Sequence, residues 1–162
     1  MKTLILYKSK YGSTRQYANW IADEIPDSIL KDLETITDTE LEQTDMIIIG
    51  SYIYLGRIQA LKFICAKWNI LKSKHLYLFT VGMIPPQAKA SLLTYNTIPD
   101  YIRTKIEYSQ LPGTISQNKL TWIDRLIVKL IHSQKSHNSQ TQTKYGQDNI
   151  TPIINFINKH IR

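Results

Sequence analysis

The hydroxyl-rich segment that follows the first apolar run has the residue types of a phosphate-binding loop. The apolar run Leu4–Tyr7 predicts a buried strand, and an amphipathic pattern that stops at Pro26 predicts a helix after the segment. A loop between a strand and a helix N-terminus directs backbone N–H groups and the positive end of the helix dipole at a ligand. Hydroxyl groups add donors, and glycine permits close backbone approach, so the candidate phosphate ligands are Ser9, Lys10, Tyr11, Gly12, Ser13 and Thr14. The alternative is an ordinary turn in which Ser13 or Thr14 caps the helix.

Two further segments are apolar and aromatic although they fall where loops are expected. Loops are normally polar and solvated, so such segments beside a phosphate loop indicate that a flat ring binds between them. The alternative is that Tyr52, Tyr54 and Met83 only cover the end of the sheet. The candidate ring-binding residues are Ser51, Tyr52, Ile53, Tyr54, Leu55 and Gly56 in the first segment and Val81, Gly82, Met83 and Ile84 in the second.

The elements that would position these segments alternate between strand and helix. Apolar runs predict strands over residues 4–7, 29–33, 46–49, 75–81 and 106–111, and helical patterns over 13–25, 37–43, 59–71, 88–105 with an interruption near Pro99, and from Thr151 onward. This alternation predicts an α/β fold, a three-layer sandwich with a five-stranded parallel sheet in the order 2-1-3-4-5. Ligands bind outside the carboxyl ends of such strands, which places the three segments around one crevice.

Composition narrows the class of protein. The chain has 162 residues, which predicts a single domain over residues 1–162, and a formal charge of +7. It has no apolar run of transmembrane length, no recognisable signal peptide and one cysteine, so we expect a cytoplasmic protein. Cys65 is predicted to be a small apolar filler in a helix. The four histidines lack the spacing of metal ligands, so we assign no metal; we expect no nucleic-acid partner, and no catalytic side chain can be named.

The segment 114–149 is an insert before the last helix. From Leu120 to Gln134 its sequence is amphipathic, with an aliphatic stripe and the charged residues Asp124, Arg125 and Lys129 off the stripe, and a polar stretch follows. We therefore predict an inserted amphipathic helix that cannot comfortably cross a bilayer because of its charges. It could contact a membrane peripherally, or pack on the domain or on a second copy of the chain as a homodimer.

The segment Ser9–Thr14 resembles the [ST]-x-x-G-x-T phosphate loop of the flavodoxin superfamily, and all five predicted strands find a place in that fold. The resemblance implies that flavin mononucleotide (FMN) is the cofactor, with its phosphate at Ser9–Thr14. It also implies that Tyr52–Gly56 and Val81–Ile84 flank the isoalloxazine ring.

The insert is similar to that of a narrower family, the menaquinone-dependent protoporphyrinogen IX dehydrogenases. The resemblance lies in Met1–Leu6, in Ile49, Gly50, Ile53 and Gly56, and above all in the pattern Trp122, Ile123, Asp124, Arg125, Lys129, Leu130 and Ile131. It implies an FMN-dependent oxidoreductase of heme biosynthesis that passes electrons from its substrate through flavin to a quinone. The stretch Met83–Pro86 departs from the family, which has a more basic sequence there. The alternatives are a soluble flavodoxin-type electron carrier, a class that is usually acidic, and a flavin-binding sensor without turnover.

Overall fold

The computed structural model describes residues 1–114 and 144–161. Its strands are β1 Thr3–Lys8, β2 Ile29–Asp32, β3 Met46–Tyr54, β4 Arg57–Ile58, β5 His75–Gly82 and β6 Ile106–Pro112. Its α-helices are α1 Ser13–Glu24, α2 Asp38–Glu42, α3 Leu61–Ala66, α4 Trp68–Leu71, α5 Lys89–Tyr95, α6 Asp100–Arg103 and α7 Thr151–Ile161. Short 3₁₀ turns cover Leu33–Thr35 and Gln147–Ile150.

The sheet has the predicted parallel order. The strands lie in the order β2-β1-β3-β5-β6, all parallel, and Ile5 of β1 is paired with Leu30 on one side and Ile48 on the other. The predicted five-strand α/β architecture is therefore confirmed, with its second strand at one edge. A sixth strand, β4, has only two residues and pairs antiparallel with the end of β3. Two residues are too few to leave a periodic signal in the sequence.

Alternate residues of the central strands fill two separate cores, one on each face of the sheet. On one face, Ile5, Ile48 and Phe79 pack against α1 and α7. On the other, Leu6, Ile47 and Ile49 belong to the core that includes buried residues of α2, α3, α4 and α6. Because side chains alternate between the faces of a strand, a continuous apolar run is needed when both faces are covered. This accounts for the uninterrupted apolar sequence of β3.

Strand β3 extends five residues beyond the predicted end at Ile49. Its pairing with β5 continues to Tyr52 opposite Val81, so Ser51–Tyr54 are strand residues rather than a loop. Gly50 does not end the strand. A Cβ atom there would lie 2.3 Å from Cζ of Phe79, so the glycine makes room for that ring within the core.

The helices differ from the predictions in detail. The helix predicted over residues 59–71 is divided into α3 and α4 at Lys67, and the predicted interruption near Pro99 separates α5 from α6. Cys65 is exposed, so its prediction as a core filler is wrong. It follows the buried residue Ile64 directly, and adjacent residues of a helix point in different directions.

The last helix begins at Thr151, as predicted. Ile153 and Ile157 are buried together with Phe156, whereas Ile161 is half exposed at the end of the helix. None of the helices in the described residues is long and apolar enough to span a bilayer. The predicted amphipathic segment Leu120–Gln134 lies outside the described residues.

Candidate functional site

The loop between β1 and α1 leaves the first N–H groups of the helix without a capping side chain. Gly12 is the residue before the helix and has φ 104°, a left-handed conformation that favours glycine. Its N–H donates to Ser9 Oγ at 3.2 Å, which closes the loop. The first N–H groups of any helix lack partners within the helix, and Gly12 has no side chain to satisfy them. The loop therefore offers backbone donors and a positive dipole end to an anion.

Ser13 and Thr14 lie at the start of α1 and are both buried. The alternative that one of them caps the helix is wrong, because Gly12 holds that position. The Ser13 hydroxyl instead donates to the carbonyl of Thr114 and accepts from the N–H of Thr114 at 3.3 Å. Ser13 thus connects the phosphate-type loop to the chain that follows β6.

A tight hairpin joins β3 to β4 beside this loop. Tyr54 pairs with Arg57, and the two residues between them, Leu55 and Gly56, have φ values of 50° and 72°. Two successive positive φ values are those of a type I′ turn, the turn that matches the twist of a two-residue hairpin. Leu55 is 67% exposed and adopts a conformation that is unfavourable for a bulky residue. The turn therefore holds an apolar side chain out at the tip of the hairpin.

The three segments surround one cavity of about 310 Å³ at the carboxyl edge of the sheet. Most of the predicted residues line it, namely Tyr11, Ser13, Thr14, Tyr52, Ile53, Tyr54, Leu55, Gly56, Val81, Gly82, Met83 and Ile84. Ser9, Lys10, Gly12 and Ser51 are not part of its lining.

Ser51 is completely buried and has a structural task. Its Oγ accepts a hydrogen bond from the N–H of Ala60 at 2.9 Å and donates to the carbonyl of Tyr52 at 3.1 Å. Ser51 therefore secures the chain that returns from the hairpin toward α3, and its hydroxyl is used within the protein.

Six lining residues were not predicted from the sequence. Ala90, Ser91 and Thr94 come from α5, and Gln110, Gly113 and Thr114 come from the end of β6 and the residues after it. The strand order contained a signal for the second group, because β6 lies beside β5 and its carboxyl end must meet the same edge. No periodic or compositional signal distinguishes the α5 residues.

The segments that line the cavity carry only positive charge. Residues 9–14, 51–60, 81–91 and 110–114 contain no Asp or Glu, whereas Lys10, Arg57 and Lys89 lie on them and are exposed. The Nζ atom of Lys10 lies 3.9 Å from the centroid of the Tyr54 ring, a cation–π contact between the first loop and the hairpin. The rim of the cavity therefore favours anions.

Tyr17 of α1 anchors the strand end that forms part of the cavity. Its hydroxyl donates to the carbonyl of Pro112 at 2.9 Å and accepts from Asn149 Nδ2 at 3.3 Å. Burial raises the pKa of Tyr17 to about 12, since a phenolate would lose its hydration there. The side chain is thus a neutral structural link between α1, β6 and the segment before α7.

The arrangement suits an elongated ligand with two chemically different ends. The N–H groups at the start of α1 would hold a phosphate, and Tyr52 and Tyr54 face the same cavity as Met83 and Ile84, where a flat ring would fit. Within residues 1–114 and 144–161 there is no group of three or more His, Cys, Asp or Glu residues that could hold a metal ion.

Comparison with known proteins agrees with this geometry. A family model described as a flavodoxin domain matches residues 4–143. Among curated proteins, the chain is 22% identical to the protoporphyrinogen IX dehydrogenase [quinone] of Escherichia coli (strain K12), over 96% of this chain and 92% of that protein.

Two similar solved structures are an archaeal flavodoxin and the oxidised flavodoxin 1 of Bacillus cereus. The first has a TM-score of 0.53 and 17% identity and covers 83% of this chain and 99% of that one. The second has a TM-score of 0.52 and 18% identity and covers 86% of this chain and all of that one. At these identities the two structures establish the likeness of fold.

Proposed function

We propose that this chain, which belongs to the flavodoxin family, binds FMN and oxidises a protoporphyrinogen IX-type substrate, with a quinone as the electron acceptor. When bound, the flavin would take up hydrogen and electrons from the substrate and pass them on to the quinone. The protein's own residues would bind and orient both molecules. No side-chain acid or base is assigned.

The phosphate and the ring of FMN would be held by different parts of the cavity. The loop Ser9–Thr14, with Gly12 in its left-handed conformation, supports phosphate binding through backbone N–H groups. Tyr52 and Tyr54 would contact the ring, and Met83 and Ile84, which line the same cavity, would help to exclude water from it.

The observation that carries the proposed substrate is the combination of an exposed apolar contact and positive charge at the rim of the cavity. Protoporphyrinogen IX is an apolar macrocycle with carboxylate arms, so it needs both features in one site. Leu55 offers an exposed apolar contact at the hairpin tip, and Arg57 and Lys89 place positive charge on segments that line the cavity. A one-electron carrier would need the same cavity for its flavin, but it has no need of an exposed apolar contact and positive charge suited to a small carboxylate substrate.

The direct test is reduction of the bound flavin by the substrate. FMN-loaded full-length protein is mixed anaerobically with protoporphyrinogen IX, and loss of the visible flavin absorbance is followed before and after addition of a soluble menaquinone analogue. We expect bleaching faster than with free FMN at equal concentration, and recovery of absorbance when the quinone is added. Bound FMN that bleaches no faster than free FMN contradicts the proposal. Bleaching by a flavin reductase alone would favour the electron-carrier alternative.

Charge-reversal variants with a matched control test the role of the rim. Arg57→Glu and Lys89→Glu reverse charge at the cavity, whereas Lys105→Glu reverses an exposed charge just before β6, at the opposite edge of the sheet. We expect the first two variants to raise the KM for the porphyrinogen several-fold, with a smaller effect at high salt because surface charges are screened. Equal effects of all three variants would show that net charge, and not the rim, controls binding.

We extend the proposal to the acceptor side, where the quinone partner is lipid-soluble. The amphipathic sequence Leu120–Gln134 would then contact an anionic membrane surface peripherally. Its aliphatic stripe suits the acyl boundary of the bilayer, and its basic residues suit the anionic headgroups. In the competing arrangement, the stripe packs on the domain itself or on a second copy of the chain in a homodimer.

A further inference from the structure

The side chain of Gln110 lies on β6 and connects the chain from the end of β5, residues 82–85 (the third cavity segment), to β6 and to α5. Gln110 lies near the carboxyl end of β6, and its Nε2 group donates to the carbonyl of Ile84 at 2.8 Å and to Ser91 Oγ at 3.0 Å. Ile84 belongs to the segment after β5, and Ser91 belongs to α5. One carboxamide therefore ties this segment to both neighbours, and all three residues line the cavity.

Ser91 extends the connection to the next residue of the segment. Its Oγ donates to the carbonyl of Pro85 at 2.8 Å, while the serine itself is 5% exposed. The carbonyl groups of Ile84 and Pro85 are thus both used by side chains from outside the segment. Because the two carbonyls are held in this way, the cavity wall presents the side chains of Met83 and Ile84 in a fixed position.

The carboxamide oxygen of Gln110 indicates that the glutamine is needed for its N–H donors. Oε1 of Gln110 is buried and has no hydrogen-bond partner among the described residues. An unsatisfied buried acceptor is unfavourable, and a leucine or methionine would fill similar space without one. Reversing the amide would place Oε1 against the carbonyl of Ile84, two acceptors in contact, so the orientation is determined. The value of Gln110 therefore lies in its N–H groups, and these hold the third segment.

Gly82 at the start of the segment allows the close approach. A Cβ atom at Gly82 would lie 3.1 Å from Cδ1 of Ile53 and 3.4 Å from Nε2 of Gln110. The segment is therefore seated tightly between the hairpin strand and β6. A small change in the connection to Gln110 would move a wall of the cavity.

We propose that Gln110 is a positioning residue for the ring of the bound ligand. Through Ile84 and Ser91 it holds the third segment at the distance at which that segment contacts a ring opposite Tyr52 and Tyr54. The inference rests on the proposed flavin site, and it assigns to Gln110 the ring half of that site and no part in phosphate binding.

The test separates ring binding from phosphate binding with three probes: FMN, riboflavin and inorganic phosphate. In the full-length chain, Gln110→Leu should weaken FMN and riboflavin by the same factor, about tenfold. It should leave the affinity for phosphate unchanged, and the absorbance spectrum of bound FMN should move toward that of free flavin. The matched control is Gln147→Leu, which removes a glutamine whose Nε2 contacts Glu24 on the exposed surface. It should bind all three probes like the parent.

A second variant, Gln110→Glu, gives a measurement, the pH dependence of riboflavin affinity, that a purely structural role of Gln110 would not change. The carboxylate introduced by Gln110→Glu has no donor at neutral pH and would repel the carbonyl of Ile84, whereas protonation restores one donor. Riboflavin carries no phosphate, so its own charge does not change in this range. The riboflavin affinity of Gln110→Glu should therefore rise as the pH falls from about 7 to about 5, while the affinity of the parent stays level.

The outcomes are distinguishable. If the parent binds no flavin, the proposed function fails and this inference falls with it. If the parent binds flavin but Gln110→Leu binds it within about twofold, with the same spectrum, only the inference is overturned. Should Gln110→Leu not fold, the pH response of Gln110→Glu decides, and a level response overturns the inference.

Discussion

Replacing Gly12 by alanine should reveal how much the phosphate-type loop depends on one backbone conformation. Gly12 has φ 104°, outside the regions that residues with a Cβ atom adopt without strain. Holding a non-glycine residue in such a conformation costs about 1–3 kcal/mol. The FMN-bound state of Gly12→Ala, in which the loop must keep its shape, should therefore be destabilised by this amount relative to the unfolded chain and free FMN.

The penalty can be distributed between two measurable quantities. If the loop keeps its shape without ligand, the free energy of unfolding of the ligand-free protein falls by the whole amount. If the loop relaxes without ligand, stability is retained but FMN must restore the strained shape, and the affinity falls by about 5- to 150-fold. Because the two states form a thermodynamic cycle, the loss of stability and the loss of binding free energy should sum to about 1–3 kcal/mol.

The assay combines denaturant unfolding of the ligand-free protein with a fluorescence titration of FMN. Gly146→Ala is a matched control, since Gly146 has the extended φ of 177° and a Cβ atom there would meet nothing within 4 Å. It should lose neither stability nor FMN affinity. A summed loss below about 0.5 kcal/mol for Gly12→Ala would refute the reasoning from backbone strain. If the stability of Gly12→Ala is unchanged, a parent-like affinity for phosphate in that variant would refute the role of the loop.

The other predictions concern the aromatic wall, alkaline stability and the membrane. Tyr52→Ala and Tyr54→Ala should each weaken FMN or change its reduction potential while the melting temperature stays close to that of the parent; if both bind and reduce flavin normally, these rings only cover the sheet. The raised pKa of Tyr17, about 12 against 10 in an unfolded chain, contributes stability that is complete below pH 10 and is lost as the pH rises toward 12. Denaturant midpoints should therefore fall less steeply over this range in Tyr17→Phe, and identical slopes would contradict the assignment. In vesicle flotation, the parent should bind anionic but not neutral lipid in a salt-sensitive manner, and Ile127→Glu and Lys129→Glu should both release it. A parent that stays in solution under all conditions leaves packing on the domain or in a dimer as the explanation of the stripe.

The sequence by itself determined the sheet and the place of the site. The continuous apolar run Met46–Ile49 required a strand covered on both faces, and the run of β1 required the same. Parallel strands bring their carboxyl ends to one edge, so the segments after β1, β3 and β5 had to meet there. These conclusions follow from the apolar runs and from the alternation of strands and helices, both of which are visible over short stretches of the sequence.

Some individual residues could not be predicted in this way. Ser51 lies inside a predicted ligand segment, yet its hydroxyl is buried and bonds to Ala60. The predicted phosphate ligand Ser13 uses its hydroxyl on Thr114, about a hundred positions away in the sequence. Which acceptor a hydroxyl finds depends on what the fold places beside it, and sequence spacing contains no record of such a neighbour.

Only the tertiary structure decided how the chain after β5, which forms one wall of the cavity, is held in place. Nothing in the sequence distinguishes Gln110 from other glutamines, and Ser91 lies on a short helix with no motif. The two become connected because β6 lies beside β5 and Ser91 of α5 lines the same cavity, which brings their polar atoms within hydrogen-bond distance of Ile84 and Pro85. Hydrogen bonds act only over contact distances, so a site assembled from distant segments is determined by the packing of the whole domain.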